Sequence, residues 1–427
     1  MKEMKNSKIE WINSIPKNWQ LRKVKYILKN RNENNNPIRT RNILSLTAKQ
    51  GVIPLNQKEG GGNKPKEDFS AYKLAYPNDI VMNSMNILSG SVGLSKYFGC
   101  VSPVYYMFTS INKENDVRYF NYVFQTVEFQ KSLLGLGNGI LIKESSNGKL
   151  NTIRMRIPLE RIQNIILPFP NQLTQKKISD YLDTNCKEID ELIADIGKEI
   201  DVLEKYKKSV ITEAVTKGID PDVDLIESPV YYMSPYNSKW KLSKIGYECN
   251  KLFRIFKEND VPLICSNKGK VLQRPAEMLG KMVSEDNAMQ GIRKGDIAIH
   301  GMDTWHGAIA ISNYDGKITR VVHVCDSVND KRFIVYYLQQ LAFNGVYKLI
   351  SNGVRGNTSD FRSWDKVKNI GIALPDVGTQ SKIADYLDII CEHIENIIVE
   401  KKTQLTTLEE YKKSLIYEYV TGKKEVM

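Results

Sequence analysis

If this chain performs chemistry, the sequence should hold side chains of suitable types at suitable spacings, and the candidates are few. The histidines number four. They include His300 and His306, but no acid or thiol stands near them at a metal-ligand spacing, and no Ser/His/Asp or Cys/His set can be assembled from so few. Cys100, Cys186, Cys249, Cys265, Cys325 and Cys391 are widely spaced and form no Cys-x-x-Cys pair, which argues for reduced, buried thiols rather than a zinc ribbon or redox motif. Gly135-Leu136-Gly137-Asn138-Gly139 has the letters of a nucleotide loop. Such a loop follows a strand and opens a helix, whereas this one follows a helical pattern and precedes Ile140-Leu141-Ile142. No Gly-x-x-x-x-Gly-Lys-Ser/Thr loop and no Asn/Asp-Pro-Pro-Tyr/Phe tetrapeptide of adenine methylation occurs. Asp376 after Pro375, with Glu410 and Lys412, offers nuclease-like groups, yet the last two fall in a repeated helix where a solvated charge pair is the ordinary reading. The residue types describe a binder rather than a catalyst.

The charge suggests what is bound. Lys and Arg number 61 against 49 for Asp and Glu, a formal net charge of +12 over 427 residues, and such an excess commonly accompanies a polyanionic partner. At roughly 150 residues per domain the length allows two or three domains. A hydrophobic content of 41% and a charged content of 26% are those of an ordinary soluble protein, and no apolar run approaches the ~20 residues of a membrane span. Met1 to Glu10 is polar and charged with no signal-like apolar core, so the expected location is the cytoplasm and no membrane partner is expected.

The elements that must carry the binding surface are duplicated. Gln175 to Gly218 aligns without a gap to Gln380 to Lys423 at an offset of 205, with nearly half of the positions identical. The shared core reads Gln-x-Lys-Ile-x-Asp-Tyr-Leu-Asp-x-x-Cys at Gln175 and again at Gln380, and Leu203-Glu204-x-Tyr206-Lys207-Lys208-Ser209 returns as Leu408-Glu409-x-Tyr411-Lys412-Lys413-Ser414. A second patch repeats at an offset of 221, pairing Ser7 with Ser228, Trp19 with Trp240, Leu21 with Leu242 and Tyr26 with Tyr247. Between the patches the halves hardly resemble each other, apart from an echo of Pro77-Asn78-Asp79-Ile80 in Lys294-Gly295-Asp296-Ile297. This pattern describes two related folds with different surfaces.

The repeated tails are helical by period. Ile178, Leu182, Ile189, Ile193, Ile196, Ile200, Leu203 and Val210 recur mostly at three- or four-residue spacing, and Ile383, Leu387, Ile394, Leu405, Leu408 and Leu415 repeat the pattern. A single helix of this kind has no core, so its apolar seam must bury against a partner, and the natural partner is the other copy. Residues 37–110 mix short Ile/Val/Tyr/Phe runs with Gly, Asn and Pro, as in Gly51-Val52-Ile53-Pro54 and Gly99 to Tyr106, and predict small twisted strands. Helices are expected at Val117–Leu134 and Arg332–Leu341, and Gly218 to Asp224 reads as a linker. The expected organisation is a first domain over 1–169, a long helix over 170–218, a linker over 219–234, a second domain over 235–374 and a second long helix over 375–427. The fold class is α+β, with two tandem globular domains and two long, mutually packed helices in an internal repeat.

These residues together resemble the specificity subunits of Type I restriction-modification systems, over nearly the whole chain. The resemblance rests on Ser-x-x-x-Trp-Ile-x-x-Ile-Pro-x-x-Trp at Ser7 to Trp19, Gly-x-Asp-Pro at Gly218 to Pro221, Gly-x-Val-Ser-Pro-x-Tyr at Gly99 to Tyr105, and the two helix starts. Two departures stand out. The family's Pro-Leu-x-Glu-Gln lead into the helix is Asn171 to Gln175 and Asp376 to Gln380 here, and the second opening pattern is degraded at Tyr232-Met233-Ser234-Pro235. The resemblance implies two target-recognition domains reading an asymmetric, bipartite sequence on double-stranded DNA, separated by two long antiparallel coiled-coil helices that act as spacer in a pseudo-twofold internal repeat. It also implies two methylation subunits bringing S-adenosylmethionine, restriction subunits using ATP and Mg, and no cofactor on this chain.

Phosphates attract Lys and Arg, while Arg, Asn, Gln and Ser can read base edges. On that basis the DNA-binding candidates are Lys49, Lys64, Lys66 and Asn86 in the first domain, and Ser266, Lys268, Arg274, Trp305, His306 and Arg355 in the second. Each lysine alone is an ordinary solvated charge, and Trp305 alone an ordinary core aromatic. Two other classes stay open on the sequence: an autonomous DNA-acting enzyme with an unrecognised site, and a coiled-coil scaffold whose basic charge is incidental.

Overall fold

A computed structural model describes residues 3–47, 50–58, 65–137, 142–144, 150–152, 156–275, 288–351 and 360–426. The chain forms two units, Met1–Ile196 with Thr403–Met427, and Gly197–Lys402. Each is a mixture of small antiparallel ladders, short helices and stretches of two long helices, Gln172–Thr216 and Val377–Val420. Among the described residues no helix is long and apolar enough to cross a membrane.

In the first unit the central sheet has the order Leu28–Arg31, Tyr105–Ser110, Ile80–Asn83 and Val92–Leu94, all antiparallel. Its strands are apolar at successive positions because both faces are covered. Ile80, Met82, Tyr106 and Phe108 enter one core with Phe120, Val123 and Phe124 of the helix Val117–Gln125. Val81 and Met107, one residue out of phase, enter a second core with Leu44, Leu46, Val52, Ala75 and Val101 of the flanking hairpins. The two-residue period of a strand thus builds a helix layer on one face and a hairpin layer on the other.

The second unit repeats this plan with other residues. Its sheet runs Asn250–Leu252, Val322–Asp326, Ile297–His300 and Ile309–Ile311. Ile297 and Ile299 face the core that holds Phe333, Tyr337 and Leu338 of the helix Lys331–Phe343, while Ala298 joins Leu263, Cys265, Val271 and Ile318. The hairpins Leu44–Thr47 with Gly51–Pro54 and Leu263–Ser266 with Lys270–Gln273 are counterparts. So are the ladders Lys73–Ala75 with Gly99–Val101 and Met289–Ile292 with Gly316–Thr319. Gly99 and Gly316 hold matching places for a steric reason: a Cβ on either would strike the carbonyl oxygen of Asn42 or Val261, where the neighbouring chain crosses.

The long helices find their partners inside each unit. In the first, Ile178, Leu182, Cys186 and Ile189 share a core with Leu415, Ile416, Tyr419 and Val420. The Tyr181 and Tyr419 rings lie 4.5 Å apart, and Lys412 pairs with Asp190 at 2.6 Å. Residue numbers rise on one helix as they fall on the other, so the segments are antiparallel. In the second, Ile383, Leu387 and Cys391 meet Val210, Ile211, Ala214 and Val215, and Glu199 pairs with Lys401 at 2.6 Å. The first long helix runs through Gly197 unbroken, at the modest conformational cost that glycine carries inside a helix. Gly218 closes it with a left-handed φ of +100°, its N–H donating to Ala214. All six cysteines are free and buried; burial pushes the Cys186 and Cys391 thiols up to about 11 and those of Cys249 and Cys265 up to about 12.

One expected helix is two. Val117–Gln125 and Val127–Ser132 are separated by Thr126 in extended conformation, whose hydroxyl accepts from the Phe129 N–H and so caps the second helix. The expected helix at Arg332–Leu341 runs Lys331–Phe343. Asp376 and Lys412 have structural partners: Asp376 accepts from the Thr379 N–H and hydroxyl at the start of the second long helix, and Lys412 holds Asp190.

The repeated polar letters of the helix starts have a common purpose. Gln175 accepts from the Asp116 N–H at 3.0 Å and donates to the Pro170 carbonyl at 2.8 Å. Arg118 then reaches Asp116, Asp180 and Asp183 at 2.6, 2.8 and 2.8 Å, and Tyr122 donates to Asp183 at 2.7 Å. In the second unit Gln380 takes the Asp330 N–H and the Pro375 carbonyl. Arg332 binds Asp330, Asp385 and Asp388 at 2.8, 2.7 and 2.8 Å, and Tyr336 donates to Asp388 at 2.7 Å. Burial, and then the aspartate, push both phenols far up, so each keeps its proton and remains a donor. Replacing Arg118 with Ala leaves three carboxylates facing one another without their cation. At this partly exposed site the expected cost is about 1–2 kcal/mol, read as faster amide exchange in 117–125 and 172–186, and Arg332→Ala should do the same to the matching segments of the second unit.

Candidate nucleic-acid interface

The sequence candidates fall in three kinds of place. Lys49, Lys64 and Arg355 lie outside the described residues, as do Asn138 and Gly139 of the glycine-rich loop. Lys66 is exposed, its backbone N–H donating to the Tyr72 hydroxyl. Asn86 is exposed and precedes the 3-10 turn Ile87–Ser89; the matching turn in the second unit, Thr304–His306, carries Trp305 and His306. His306 is exposed, whereas Trp305 is half-buried against the core and donates its ring N–H to Ser351 at 3.1 Å. Ser266 and Lys268 form a hairpin tip, where the Ser266 hydroxyl donates to the Lys270 carbonyl. Arg274 is half-buried and uses its N–H on Pro262. Lys268, with Lys207, Lys208 and Lys402, borders a cavity of about 630 Å³ that also takes in Gly307 beside His306. The structure therefore brings the hairpin tip and the 3-10 turn of the second unit to one rim.

A basic and aromatic surface that these candidates miss is built on a shared anchor. In each unit a tight turn leads into an inner strand of the sheet, Ile80–Asn83 or Ile297–His300: Tyr76-Pro77-Asn78-Asp79, with Asn78 at φ +68°, and Arg293-Lys294-Gly295-Asp296, with Gly295 at φ +87°. The aspartate is nearly fully buried in both and accepts the N–H of the turn's first residue. An arginine from the chain leaving the edge strand neutralises it, Arg31 on Asp79 at 3.1 Å and Arg254 on Asp296. Burial pushes the Asp79 carboxyl up and Arg31 works against that, as expected for a buried charge that needs its partner.

Beyond this anchor the two units diverge. In the first, Arg31 lies 4.4 Å over the Tyr76 ring, Arg39 lies 5.9 Å from Tyr76 and from Phe98, and Arg41 lies 5.7 Å over Phe69. The loop presenting Arg39 is fixed from inside by Asn35, which is fully buried. Its amide donates to the carbonyls of Thr40 and Phe69 at 2.8 and 3.0 Å and accepts from the N–H groups of Arg39 and Thr40 at 2.9 and 3.2 Å. In the second unit Arg320 lies over Phe253 and Lys317 over Phe256, each at 5.0 Å, and Ile255 between those rings is 86% exposed. Cations over rings beside exposed apolar tips suit phosphates, base edges and thymine methyls. The signal for the first patch was present in the sequence: three arginines, Arg31, Arg39 and Arg41, set in an Asn- and Pro-rich run.

No family model matches the chain. It is 23% identical over 367 residues to the type I restriction enzyme MjaVIII specificity subunit of Methanocaldococcus jannaschii, covering 81% of this chain and 80% of that one. It is also 23% identical over 286 residues to a protein of the same organism named for the specificity subunit of the MjaX type I system, covering 62% of this chain and 60% of that one. In fold it matches a chain from a solved structure concerned with complex assembly and conformational transition of the type I R-M system, with a TM-score of 0.67 at 12% identity, over 96% of this chain and 99% of that one. The chain thus resembles Type I specificity subunits in sequence along most of its length, and its α+β fold with two long helices is that of a chain from such a system.

The Asn35 amide gives this surface a direct test. Asn35→Ala removes four hydrogen bonds from a buried site, with an expected loss of about 1–3 kcal/mol. The amides of Arg39 and Thr40 should exchange much faster, while exchange in the sheet strand 80–83 should change little.

Proposed function

We propose that this chain, which resembles Type I specificity subunits through both copies of its duplicated frame, is the DNA-recognition subunit of a Type I restriction-modification assembly. The observation that carries the reading is the pairing of one repeated scaffold with two different basic, aromatic tips. A reader of two unlike half-sites needs a common way to hold each domain to its helix and separate surfaces to meet the bases. The clamps of Arg118 and Arg332 supply the first, and the segments around Arg39 and Phe253 supply the second. Arginines facing outward over rings can donate to guanine edges, and exposed apolar side chains can meet thymine methyls.

The target is then a bipartite and asymmetric sequence on double-stranded DNA, one half-site for each unit. The chain itself carries out no reaction and binds no cofactor. Two methylation subunits dock on it and bring S-adenosylmethionine for adenine-N6 transfer, and restriction subunits using ATP and Mg join them in the cytoplasm. The DNA-binding set of Lys49, Lys64, Lys66, Asn86, Ser266, Lys268, Arg274, Trp305, His306 and Arg355 belongs to this proposal, enlarged by Arg39, Arg41, Phe253 and Arg320.

The test is co-expression with the methylation subunit of the same genome, followed by sequencing of host DNA for N6-methyladenine. The expected outcome is a split, asymmetric motif methylated on both strands and lost when this chain is omitted. Exchange of residues 20–165 for those of another specificity subunit should alter one half of that motif. Absence of any motif, with the two proteins eluting separately, would overturn the reading in favour of a scaffold.

A further inference from the structure

The cations of the first unit fall into two groups. Arg31 and Arg118 each lie against carboxylates. Among the described residues Lys73 and Arg156 do not. They line one cavity of about 390 Å³ together with Asn30, Asn32 and Tyr106, and no carboxylate is among its lining residues. The Tyr106 hydroxyl is already committed, donating to the Ile157 carbonyl at 3.1 Å. Lys73 reaches only the Tyr105 carbonyl, at 3.4 Å, among the described residues. Burial, and then the facing charge of Arg156, hold its amine below the ordinary lysine range. The buried amide oxygen of Asn30 has no partner among the described residues; as an acceptor it calls for a donor such as water, and it does not bind an anion directly. The run from Lys143 to Arg156 also carries four cations, Lys143, Lys149, Arg154 and Arg156, against the single acid Glu144.

Two like charges facing one half-buried cavity raise the free energy of the empty protein, and an entering anion removes that cost. We propose that this cavity is a phosphate site for the DNA backbone, with Lys73 and Arg156 supplying charge and the Asn32 amide N–H a neutral donor. It rests on the reading of the chain as a DNA-recognition subunit and adds to it a fixed, sequence-independent contact. A ligand of this kind sets the register of a domain on the duplex without reading a base.

The experiment uses the assembly with its methylation subunits and a duplex carrying its methylated motif, with binding measured by fluorescence anisotropy between 50 and 200 mM salt, and compares wild type with Lys73→Gln, Arg156→Gln and the double variant. Loss of one phosphate contact makes the slope of log K against log salt shallower by about 0.9. The double variant should show that change and a several-fold weaker affinity on every duplex alike, with the motif unchanged and a melting temperature no lower than wild type. Equal slopes and affinities in all four proteins would overturn the proposal, as would an altered base preference at particular positions, or a lowered melting temperature that marks the pair as structural. Stabilisation of wild type by inorganic phosphate, absent in the double variant and accompanied by an unchanged DNA slope, would also overturn it, by assigning the site to the free ion. A wild-type assembly that binds no DNA would instead sink the DNA-reading proposal beneath it.

Discussion

An arginine shared among three aspartates, once in each unit, is the interaction on which the rest of the architecture depends. A long helix whose apolar stripe is narrow cannot hold a globular domain in one orientation by hydrophobic contact alone, because apolar contact is not directional. The clamp adds direction. Arg118 bonds to its own helix cap at Asp116 and to two aspartates one turn apart on the long helix, while Tyr122 and Gln175 fix the same junction from either side. Arg332, Tyr336 and Gln380 do so again. The planar guanidinium suits this task, since a lysine could not engage three carboxylates in a fixed plane.

Given that junction, the sheet can do two jobs at once. Residues of one phase pack on the helices that carry the clamp, and residues of the other phase pack on the hairpins. The segment that leaves the edge strand belongs to neither core beyond its arginine. Around Arg31 and Arg254, beyond their hold on the buried aspartate, the two units differ, with an Asn35-braced loop in one and exposed Phe253 and Ile255 in the other. Surface variation is concentrated where the scaffold imposes least, which is what a reader of unlike half-sites requires.

Much of this was legible in the sequence and some was not, for physical reasons. The helices were readable because a period of 3.6 survives in any context, and their pairing because a single amphipathic helix lacks a core; their antiparallel direction came only from the family resemblance. The repeated Gln175, Asp180 and Asp183 were visible as letters, but their partners lie in Asn115-Asp116-x-Arg118 and Asn329-Asp330-x-Arg332, a further echo at an offset unlike the others. Unequal segment lengths hid it. The break at Thr126 depends on a capping choice that periodicity does not register. Ser266 and Trp305 have the types of DNA contacts, yet the structure gives each an internal partner, and local spacing cannot distinguish a hydroxyl or ring N–H that faces solvent from one that faces its own fold.

The same difficulty governs the net charge. A surplus of +12 speaks of a polyanion, but charge counts do not say which cations are free to meet one. Arg118 and Arg332 are held by three carboxylates each, Arg31 and Arg254 neutralise buried aspartates, and Arg293 binds Asp260 at 3.0 Å. A guanidinium so placed has little left to give to phosphate, because a second anion would have to displace the first. The cations able to act on DNA are those whose neighbours are rings, amides or other cations: Arg41 over Phe69, Arg320 over Phe253, and Lys73 facing Arg156. Clustering along the chain cannot separate these classes, since Arg41 stands in the same run as the committed Arg31 and as Arg39, which pairs with Glu33 at 3.6 Å. The partner each cation already has is the quantity that sorts them, and it is set by the fold.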